Sequence, residues 1–275
     1  MNWWQAIILG IVQGLTEFLP VSSSGHLVIF RELLGVDAEG FLDFTVLVHL
    51  GTVLSTVIVF WGAIWQLLKG FLKFKYNDET DYICKLVVSM VPVAVVGFFF
   101  KDQVEALFGE NLVVVGICLV ITAVLLLLSD IASGKRGWVK ENRHRNGISY
   151  LQAFVTGIGQ ALAVAPGLSR SGTTIATGLM TGVKRENMAQ FSFLMVLVPI
   201  IGEQGLSIIK SVSETGSVMS GSLSAGALLA GFLAAFVSGL FACKAMVALV
   251  RKAKLGWFSL YCLIVAAVIF IISML

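Results

Sequence analysis

The sequence contains few charged residues. Lysine, arginine, aspartate and glutamate make up 13% of the 275 residues, whereas hydrophobic residues make up 57%. Soluble domains carry about 25% charged residues, so an ordinary soluble domain is excluded. The formal net charge of +3 is too small to indicate a nucleic-acid-binding chain. Several apolar runs of about 20 residues predict a multi-span α-helical membrane protein, and the short alternating segments of an outer-membrane barrel are missing.

Cysteine, histidine and proline are also scarce. The four cysteines are scattered through or beside apolar segments without the spacing of a metal site, so we interpret them as small packing residues. Of the three histidines, His49 lies inside an apolar segment and is expected to face a neighbouring helix. Two of the four prolines, Pro20 and Pro166, stand beside serine clusters in the middle of apolar segments. We expect each of them to end a helix.

Six apolar helices are predicted, each close to the ~20 residues that a membrane span needs. They cover about 43–68, 83–100, 111–129, 186–209, 223–250 and 256–274. Two further segments, about 3–30 and 149–180, are broken near the middle, so that neither half is long enough for a full crossing. We interpret them as re-entrant helical hairpins with tips near the midplane, where irregular backbone is tolerated only if protein or water surrounds it.

The two interrupted segments resemble each other. Residues 5–27 match residues 152–174 without a gap at nine of 23 positions, and both tips contain Ser-x-Ser-Gly. We therefore predict an all-α integral membrane protein with a single membrane domain over 1–275, built from a first repeat over 1–130 and a second over 148–275. Each repeat would hold one hairpin and three full spans. An odd number of crossings inverts the second repeat, which places a binding site between the repeats.

Basic residues predict the orientation in the membrane. They cluster in four connections, at about 69–85, 135–145, 184–185 and 251–254, whereas 101–110 and 210–222 hold one lysine each. If each hairpin makes no net crossing, all of the basic clusters fall on one side, which the positive-inside rule assigns to the cytoplasm. Both termini would then lie on the outer side.

The second tip reads APGLSRSGTT and has the features of an anion site. Ser169 is a suitable N-cap, so that the unpaired amides of about 170–172 would face the tip. Arg170 adds a planar set of donors suited to phosphate oxygens. The alternative is a capped helix start whose arginine pairs with Glu17. The other substrate-binding candidates in this tip are Ser171, Gly172 and Thr174.

The first tip, QGLTEFLPVSSSGHL, has the same arrangement with two additions. Glu17 and His26 are replaced in the second tip by Val164 and Thr173. Ser23 and His26 are three residues apart on one helix, so His26 could accept the Ser23 proton or protonate a leaving oxygen. Glu17 could hold Mg²⁺ or Ca²⁺ together with water and phosphate oxygens. The binding candidates of this tip are Gln13, Ser22, Ser24 and Gly25.

Together the tips predict a site for pyrophosphate, because two facing helix N-termini suit two linked anionic groups. The motifs resemble the two signature regions of bacterial undecaprenyl-diphosphate phosphatases of the bacitracin-resistance type. The length, the number of spans and the duplicated layout are similar too, so the resemblance covers essentially the whole chain. In this resemblance Gln13 and Glu17 correspond to the glutamate-rich motif of the family. Gln13 departs from the two-glutamate form of this motif, so that Glu17 is the carboxylate on which the mechanism depends.

The resemblance implies a multi-pass enzyme of the bacterial plasma membrane. It would hydrolyse undecaprenyl diphosphate to undecaprenyl phosphate and inorganic phosphate, recycle the lipid carrier for peptidoglycan and other wall polymers, and confer bacitracin resistance. It also favours a pocket open to the outer face. The expected partners are the lipid substrate and the bilayer, without nucleic acid, and a homodimer is compatible with the sequence.

Our mechanistic hypothesis from the sequence is phosphoryl transfer that depends mainly on positioning and charge neutralisation. Ser23 is the candidate nucleophile and His26 its proton partner, with Arg170 holding the diphosphate. Direct attack by His26, or by a water that Glu17 activates, stays open. The lipid tail is expected to leave sideways between helices. The alternative function is a transporter or lipid flippase, since inverted repeats with broken helices are common among transporters.

Overall fold

The computed structural model describes residues 1–37, 40–100, 112–134, 139, 144–165, 167–215, 223–252 and 254–274. Within these ranges the chain is helical and contains no strand, as predicted. The α-helices are α1 Trp3–Thr16, α2 Ser23–Leu33, α3 Phe41–Val59, α4 Trp61–Phe71, α5 Asp78–Phe99, α6 Leu112–Ser133, α7 Tyr150–Leu162, α8 Arg170–Met180, α9 Arg185–Thr215, α10 Ala225–Lys252 and α11 Gly256–Met274. A short 3-10 turn, Arg145–Gly147, precedes α7.

Five helices, α5, α6, α9, α10 and α11, are long and apolar enough to cross a membrane. Helices α3 and α4 add a sixth span if they are counted together, but they are bent by 70°. The predicted helix over about 43–68 is therefore two helices, and the sixth predicted span is present only as this bent pair. The bend lies at Phe60, whose side chain is buried against the ring of Phe193, whereas the next residue, Trp61, is exposed. The bend thus coincides with a change from a buried to an exposed aromatic side chain.

The two interrupted segments form antiparallel helical hairpins, α1 with α2 and α7 with α8. At the open end of the first, Gln5 Nε2 donates a hydrogen bond of 2.9 Å to the carbonyl of Leu34. At the open end of the second, Gln152 Nε2 donates one of 2.8 Å to the carbonyl of Thr181. Each hairpin therefore returns to the level at which it began. Helix α1 has 14 residues, about 21 Å, which is shorter than the ~30 Å hydrocarbon core.

Proline marks the first break between half-helices. Helix α1 ends at Thr16, whose carbonyl would need an N–H from Pro20 to continue the helical pattern. The same argument for Pro166 concerns a residue outside the described ranges, and α7 ends at Leu162. Both hairpins thus turn within a few residues and present a short irregular tip.

Several helices of the two halves begin 147 residues apart, which is the offset between residues 5–27 and residues 152–174. Helices α2 and α8 begin at 23 and 170 and end at 33 and 180, and α5 and α10 begin at 78 and 225. The halves also interlock, since α1 packs on α10 and α7 packs on α5. Gly10 of α1 lies against the backbone of Gly231, and Gly157 of α7 against that of Ser89, so closely that a Cβ at either glycine would overlap with the partner helix.

Helix α6 supports both tips. Gly25 follows the first tip, and Gly167 lies in the second with a positive φ of 85°. A Cβ added at either position would lie 2.9 Å from an atom of Val115 in α6. Both tips can therefore rest on α6 only because glycine occupies these two positions. Buried side chains of α6 and α11, including Leu119 and Cys262, complete the packing under Val21 of the first tip.

Candidate functional site

The tips of the two hairpins meet in the structure. The hydroxyl of Ser171 donates a hydrogen bond of 3.2 Å to the carbonyl of Leu19, and the amide of Gly167 donates one of 3.3 Å to the hydroxyl of Ser24. Gly172 lies against Pro20, so that a Cβ on this glycine would be 3.1 Å from the proline Cβ. Residues 143 or more positions apart in sequence thus form one surface.

Glu17 is the centre of this surface. Its Oε2 accepts hydrogen bonds from the Ser23 hydroxyl at 2.5 Å and from Gln13 Nε2 at 2.8 Å. Its Oε1 lies 3.8 Å from the guanidinium of Arg170, which belongs to the opposite tip. The Glu17 side chain is 9% exposed and that of Arg170 is 25% exposed. A carboxylate and a guanidinium are therefore close together and still reachable by a ligand.

His49 of α3 also faces Glu17. Its Nε2 lies 3.6 Å from Oε2 of Glu17, and its Nδ1 lies 2.8 Å from the carbonyl of Thr45. Because a carbonyl can only accept, Nδ1 carries a proton and the ring is held with Nε2 toward the carboxylate. The sequence analysis gave His49 no role at the site. A signal was present, because His49, Thr52 and Thr56 place polar groups on one face of an otherwise apolar helix.

His26 does not contact Ser23, although the sequence suggested that they share a proton. Its Nδ1 lies 2.7 Å from the carbonyl of Ser22, and its Nε2 lies 2.8 Å from the hydroxyl of Tyr261. The rings of His26 and Tyr261 are nearly parallel, with centroids 5.7 Å apart. The imidazole is therefore directed toward α11, and Ser23 bonds to Glu17 instead.

Ser22 and Ser169 cap α2 and α8, as predicted for Ser169 and for one of the serines in the first tip. The Ser22 hydroxyl accepts from the amide of Gly25 at 3.2 Å, and the Ser169 hydroxyl accepts from the amide of Gly172 at 3.1 Å. The expectation of an unpaired amide at Gly172 is therefore wrong, because the capping side chain uses it. One of the amides expected to face the tip is thus unavailable to a ligand.

The remaining polar candidates, Ser24, Ser171 and Thr174, make hydrogen bonds that fix the tips to each other and to α9. Ser24 and Ser171 form the hydrogen bonds between the tips, as described above. Thr174 is fully buried, and its hydroxyl lies 2.6 Å from that of Ser192 in α9. Ser171 and Thr174 are buried, whereas Ser24, like Glu17, Ser23 and Arg170, stays partly accessible.

A groove begins at Glu17 and Arg170 and runs between α3 and α9. It is lined by Thr52, Val53 and Thr56 on α3 and by one face of α9 from Ser192 to Ile200. The end at the tips is charged and polar, and the end toward Ile200 is apolar. A ligand with an anionic head and an apolar tail matches this distribution.

Two oxygen donors could hold a divalent cation beside the groove. The described part of the chain has no cluster of three histidine, cysteine, aspartate or glutamate side chains. However, Gln13 Oε1 is buried without a hydrogen-bond partner, and it belongs to the amide whose Nε2 bonds to Glu17. Carboxylate and amide oxygens suit Mg²⁺ or Ca²⁺, which commonly complete their coordination with water and phosphate oxygens. The residues present therefore fit such an ion.

Comparison with known proteins places these features in a family context. Residues 6–268 match the family model described as bacitracin resistance protein BacA. The chain is 48% identical over 275 residues to an undecaprenyl-diphosphatase of Bacteroides fragilis, with all of both chains covered. It is 49% identical over 268 residues to one of Parabacteroides distasonis, covering 98% of this chain and 97% of the relative. It is 36% identical over 273 residues to one of Halothermothrix orenii, covering 99% of each.

Proposed function

The chain belongs to the bacitracin resistance protein BacA family and dephosphorylates undecaprenyl diphosphate in the membrane, and we propose that it does so where the two hairpin tips meet. The observation that carries this proposal is the approach of Glu17 and Arg170, from opposite tips, to 3.8 Å. The products are undecaprenyl phosphate and inorganic phosphate. The activity serves cell-wall synthesis and underlies bacitracin resistance.

Ser23 is the nucleophile in this proposal and Glu17 is its base. The hydroxyl of Ser23 already donates to Oε2 of Glu17 at 2.5 Å, so the proton can move to the carboxylate as Oγ bonds to the terminal phosphorus. The bond between that phosphorus and the bridging oxygen breaks, and Glu17 passes the proton to the leaving lipid phosphate. A water then attacks the phosphoserine, its proton reaches Ser23 Oγ through Glu17, and inorganic phosphate leaves.

Arg170 and His49 support this chemistry from opposite sides of Glu17. Arg170 offers donors in a plane to the phosphate oxygens and offsets their charge, which suits the loose transition state of phosphoryl transfer. His49, whose Nδ1 is fixed by Thr45, attracts the carboxylate in its imidazolium form, with Nε2–H toward Glu17, and so holds it in the orientation that accepts the Ser23 hydroxyl. These residues act mainly by position, because phosphoryl transfer requires little further chemistry from the protein.

The proposed cofactor is a divalent cation, Mg²⁺ or Ca²⁺. Glu17 and Gln13 Oε1 would hold it, supported by the buried and unpartnered state of the amide oxygen. When bound, the ion neutralises negative charge on the phosphate oxygens.

We also propose that the halves are inverted repeats with re-entrant hairpins, that both termini lie outside, and that the groove opens to the outer face. Contacts between helix ends support the topology. Lys85 in the N-terminal half of α5 donates to the carbonyl of Arg145 before α7, and Asp130 near the end of α6 pairs with Arg185 of α9 and accepts from the amide of Gly256. Helix ends that border the basic connections thus contact one another in two groups, which agrees with a single cytoplasmic side.

The proposed site is tested by measuring phosphate release from undecaprenyl diphosphate, with the purified protein in detergent. Arg170→Ala is expected to lower kcat/KM about 100-fold or more, because it removes transition-state charge stabilisation. Arg145→Ala is the matched control, since Arg145 is exposed and pairs with Asp78 away from the groove. Full activity of Arg170→Ala would overturn the site. A wild-type protein that moves lipid across vesicles but releases no phosphate in detergent would instead be a flippase.

A further inference from the structure

We propose that Tyr261 of α11 is a positioning residue for the reaction. Its hydroxyl fixes the ring of His26, and His26 in turn holds Ser22 in the strained backbone conformation from which α2 starts. Ser23, the next residue, is thereby directed toward Glu17. The inference rests on the proposed function, and it gives a role to a side chain that is not among the residues lining the groove.

The backbone of Ser22 has a conformation that residues other than glycine rarely adopt. Its φ is 69° and its ψ is 95°. Such strain persists only where surrounding contacts hold it, and it is common at functional sites. Here the strained residue directly precedes Ser23, whose hydroxyl donates to Glu17 at 2.5 Å. The contacts that hold Ser22 therefore also fix the direction of the Ser23 side chain.

Helix capping alone does not explain this conformation. Ser169 caps α8 by accepting from the amide three residues on, as Ser22 does for α2, but its φ is −69° and its ψ is 116°. The tips differ four residues after the cap, at His26 in the first and Thr173 in the second. The Thr173 hydroxyl is buried without a hydrogen-bond partner in the described part of the chain, whereas His26 bonds back to Ser22. The histidine thus distinguishes the strained tip from the relaxed one.

His26 holds the carbonyl of Ser22 with two donors. The backbone nitrogen of His26 lies 3.2 Å from this carbonyl oxygen, and the ring nitrogen Nδ1 lies 2.7 Å from it. Because a carbonyl can only accept, Nδ1 carries a proton, and in the neutral ring Nε2 is then an acceptor. The ψ of Ser22 determines where its carbonyl points, so these two bonds favour the observed backbone conformation.

Tyr261 fixes the other side of the imidazole ring. Its hydroxyl lies 2.8 Å from Nε2 of His26 and donates to it in the neutral ring. His26 is 4% exposed, so loss of this hydroxyl would leave a buried nitrogen without its donor, which is costly. Rotation of the ring toward another partner would then release the carbonyl of Ser22.

Helix α11 is anchored on both sides of Tyr261. The hydroxyl of Ser259 donates to the carbonyl of Ala123 in α6 at 2.7 Å. The thiol of Cys262 donates to the carbonyl of Pro20 in the first tip at 3.6 Å. These contacts tie α11 to the helix under the tips and to the first tip itself. The position of the tyrosine is therefore fixed relative to the turn that it supports.

The experiment measures kcat and KM for undecaprenyl diphosphate by phosphate release in detergent. Tyr261→Phe is expected to lower kcat about tenfold, because the nucleophile is directed less well, and to leave the KM within about twofold. Tyr150→Phe is the matched control. It removes a hydroxyl that donates to Asp81 at 3.0 Å, and Tyr150 is 40% exposed, compared with 43% for Tyr261. Its kcat should stay within about twofold of the wild-type value.

Two further comparisons separate positioning from a merely structural role. His26→Asn should be at least about tenfold faster than His26→Leu, because the asparagine amide can donate to the Ser22 carbonyl from nearly the position of Nδ1. In a Ser22→Gly background, Tyr261→Phe should lower kcat less than about threefold. Glycine adopts a positive φ without strain, so the turn no longer needs to be held.

Three results would overturn the inference. They are a kcat of Tyr261→Phe within about twofold of wild type, equal losses in His26→Asn and His26→Leu, or the same cost of Tyr261→Phe with and without Ser22→Gly. If Tyr261→Phe does not give a monodisperse protein, the two variants of His26 decide. Failure of the wild-type protein to release phosphate would instead contradict the proposed function, and is seen before any variant is compared.

Discussion

The hydroxyl oxygen of Ser23 lies 2.5 Å from Oε2 of Glu17, across the turn that separates α1 from α2. A hydrogen bond of this length between a hydroxyl and a carboxylate is strong and directs the serine proton to the carboxylate. It makes Glu17, rather than His26, the group best placed to activate Ser23.

Ser23→Ala is expected to lower kcat about 10³-fold, and Glu17→Gln about 10²-fold or more, because they remove the nucleophile and its base. Ser24→Ala is the control, since Ser24 links the tips and should cost less than about tenfold. Phosphate release gives the rates, and mass spectrometry after an acid quench should detect phosphate on Ser23. Activity of Ser23→Ala within tenfold of wild type would show that water attacks directly.

Gln13→Ala is expected to raise the Mg²⁺ concentration for half-maximal activity about five- to tenfold, because it removes one proposed oxygen ligand. The rate at saturating Mg²⁺ should change less. Gln160→Ala is the matched control, since Gln160 occupies the equivalent position in the second hairpin and is also buried. A chelator should abolish wild-type activity, and added Mg²⁺ or Ca²⁺ should restore it. Full activity in the chelator would contradict the proposed cofactor.

His49→Leu is expected to lower kcat about tenfold with little change in KM, because Glu17 loses the group that orients it. His49→Gln should recover most of this loss, since its amide can donate a hydrogen bond toward the carboxylate in place of the imidazolium. Phosphate release over a range of lipid concentrations separates the two parameters. Equal rates for the leucine and glutamine variants would show that His49 only fills space.

Gly10→Ala is expected to destabilise the protein by about 1–3 kcal/mol, because a Cβ there would overlap with the backbone of Gly231. Gly202→Ala is the control, since nothing lies within 4 Å of a Cβ at that position. It should be neutral or stabilise by up to about 1 kcal/mol through helix propensity. Thermal unfolding in detergent measures both. Equal melting temperatures would contradict the close packing of α1 and α10.

Sequence reasoning was most successful where a polar residue stood in an apolar segment. Glu17, Ser23 and Arg170 were conspicuous because a charged or clustered polar group at membrane depth is costly without a function. The breaks near Pro20 and the serine caps followed from backbone chemistry that acts over a few residues. The meeting of the tips was inferred from the repeated motif, a long-range signal that most sequences lack.

The features that sequence reasoning missed depend on contacts between distant segments. His49 contacts Glu17 only because α3 packs beside the first tip, and no local pattern fixes that arrangement. The bend between α3 and α4 lies at Phe60, whose ring packs against Phe193 of another helix, a contact that local sequence does not reveal. Ser23 bonds to Glu17 rather than to the predicted partner His26, because helical spacing identifies only a shared face, whereas the His26 ring bonds to Tyr261 of α11.

The site is asymmetric although the hairpins are alike. Only the first tip carries the carboxylate and only the second carries the guanidinium, and one ligand must contact both. Two identical chains of half the length could not divide these groups between them, since any change would occur in both copies. This division of roles therefore requires two halves whose sequences differ, which a single polypeptide supplies in a fixed ratio.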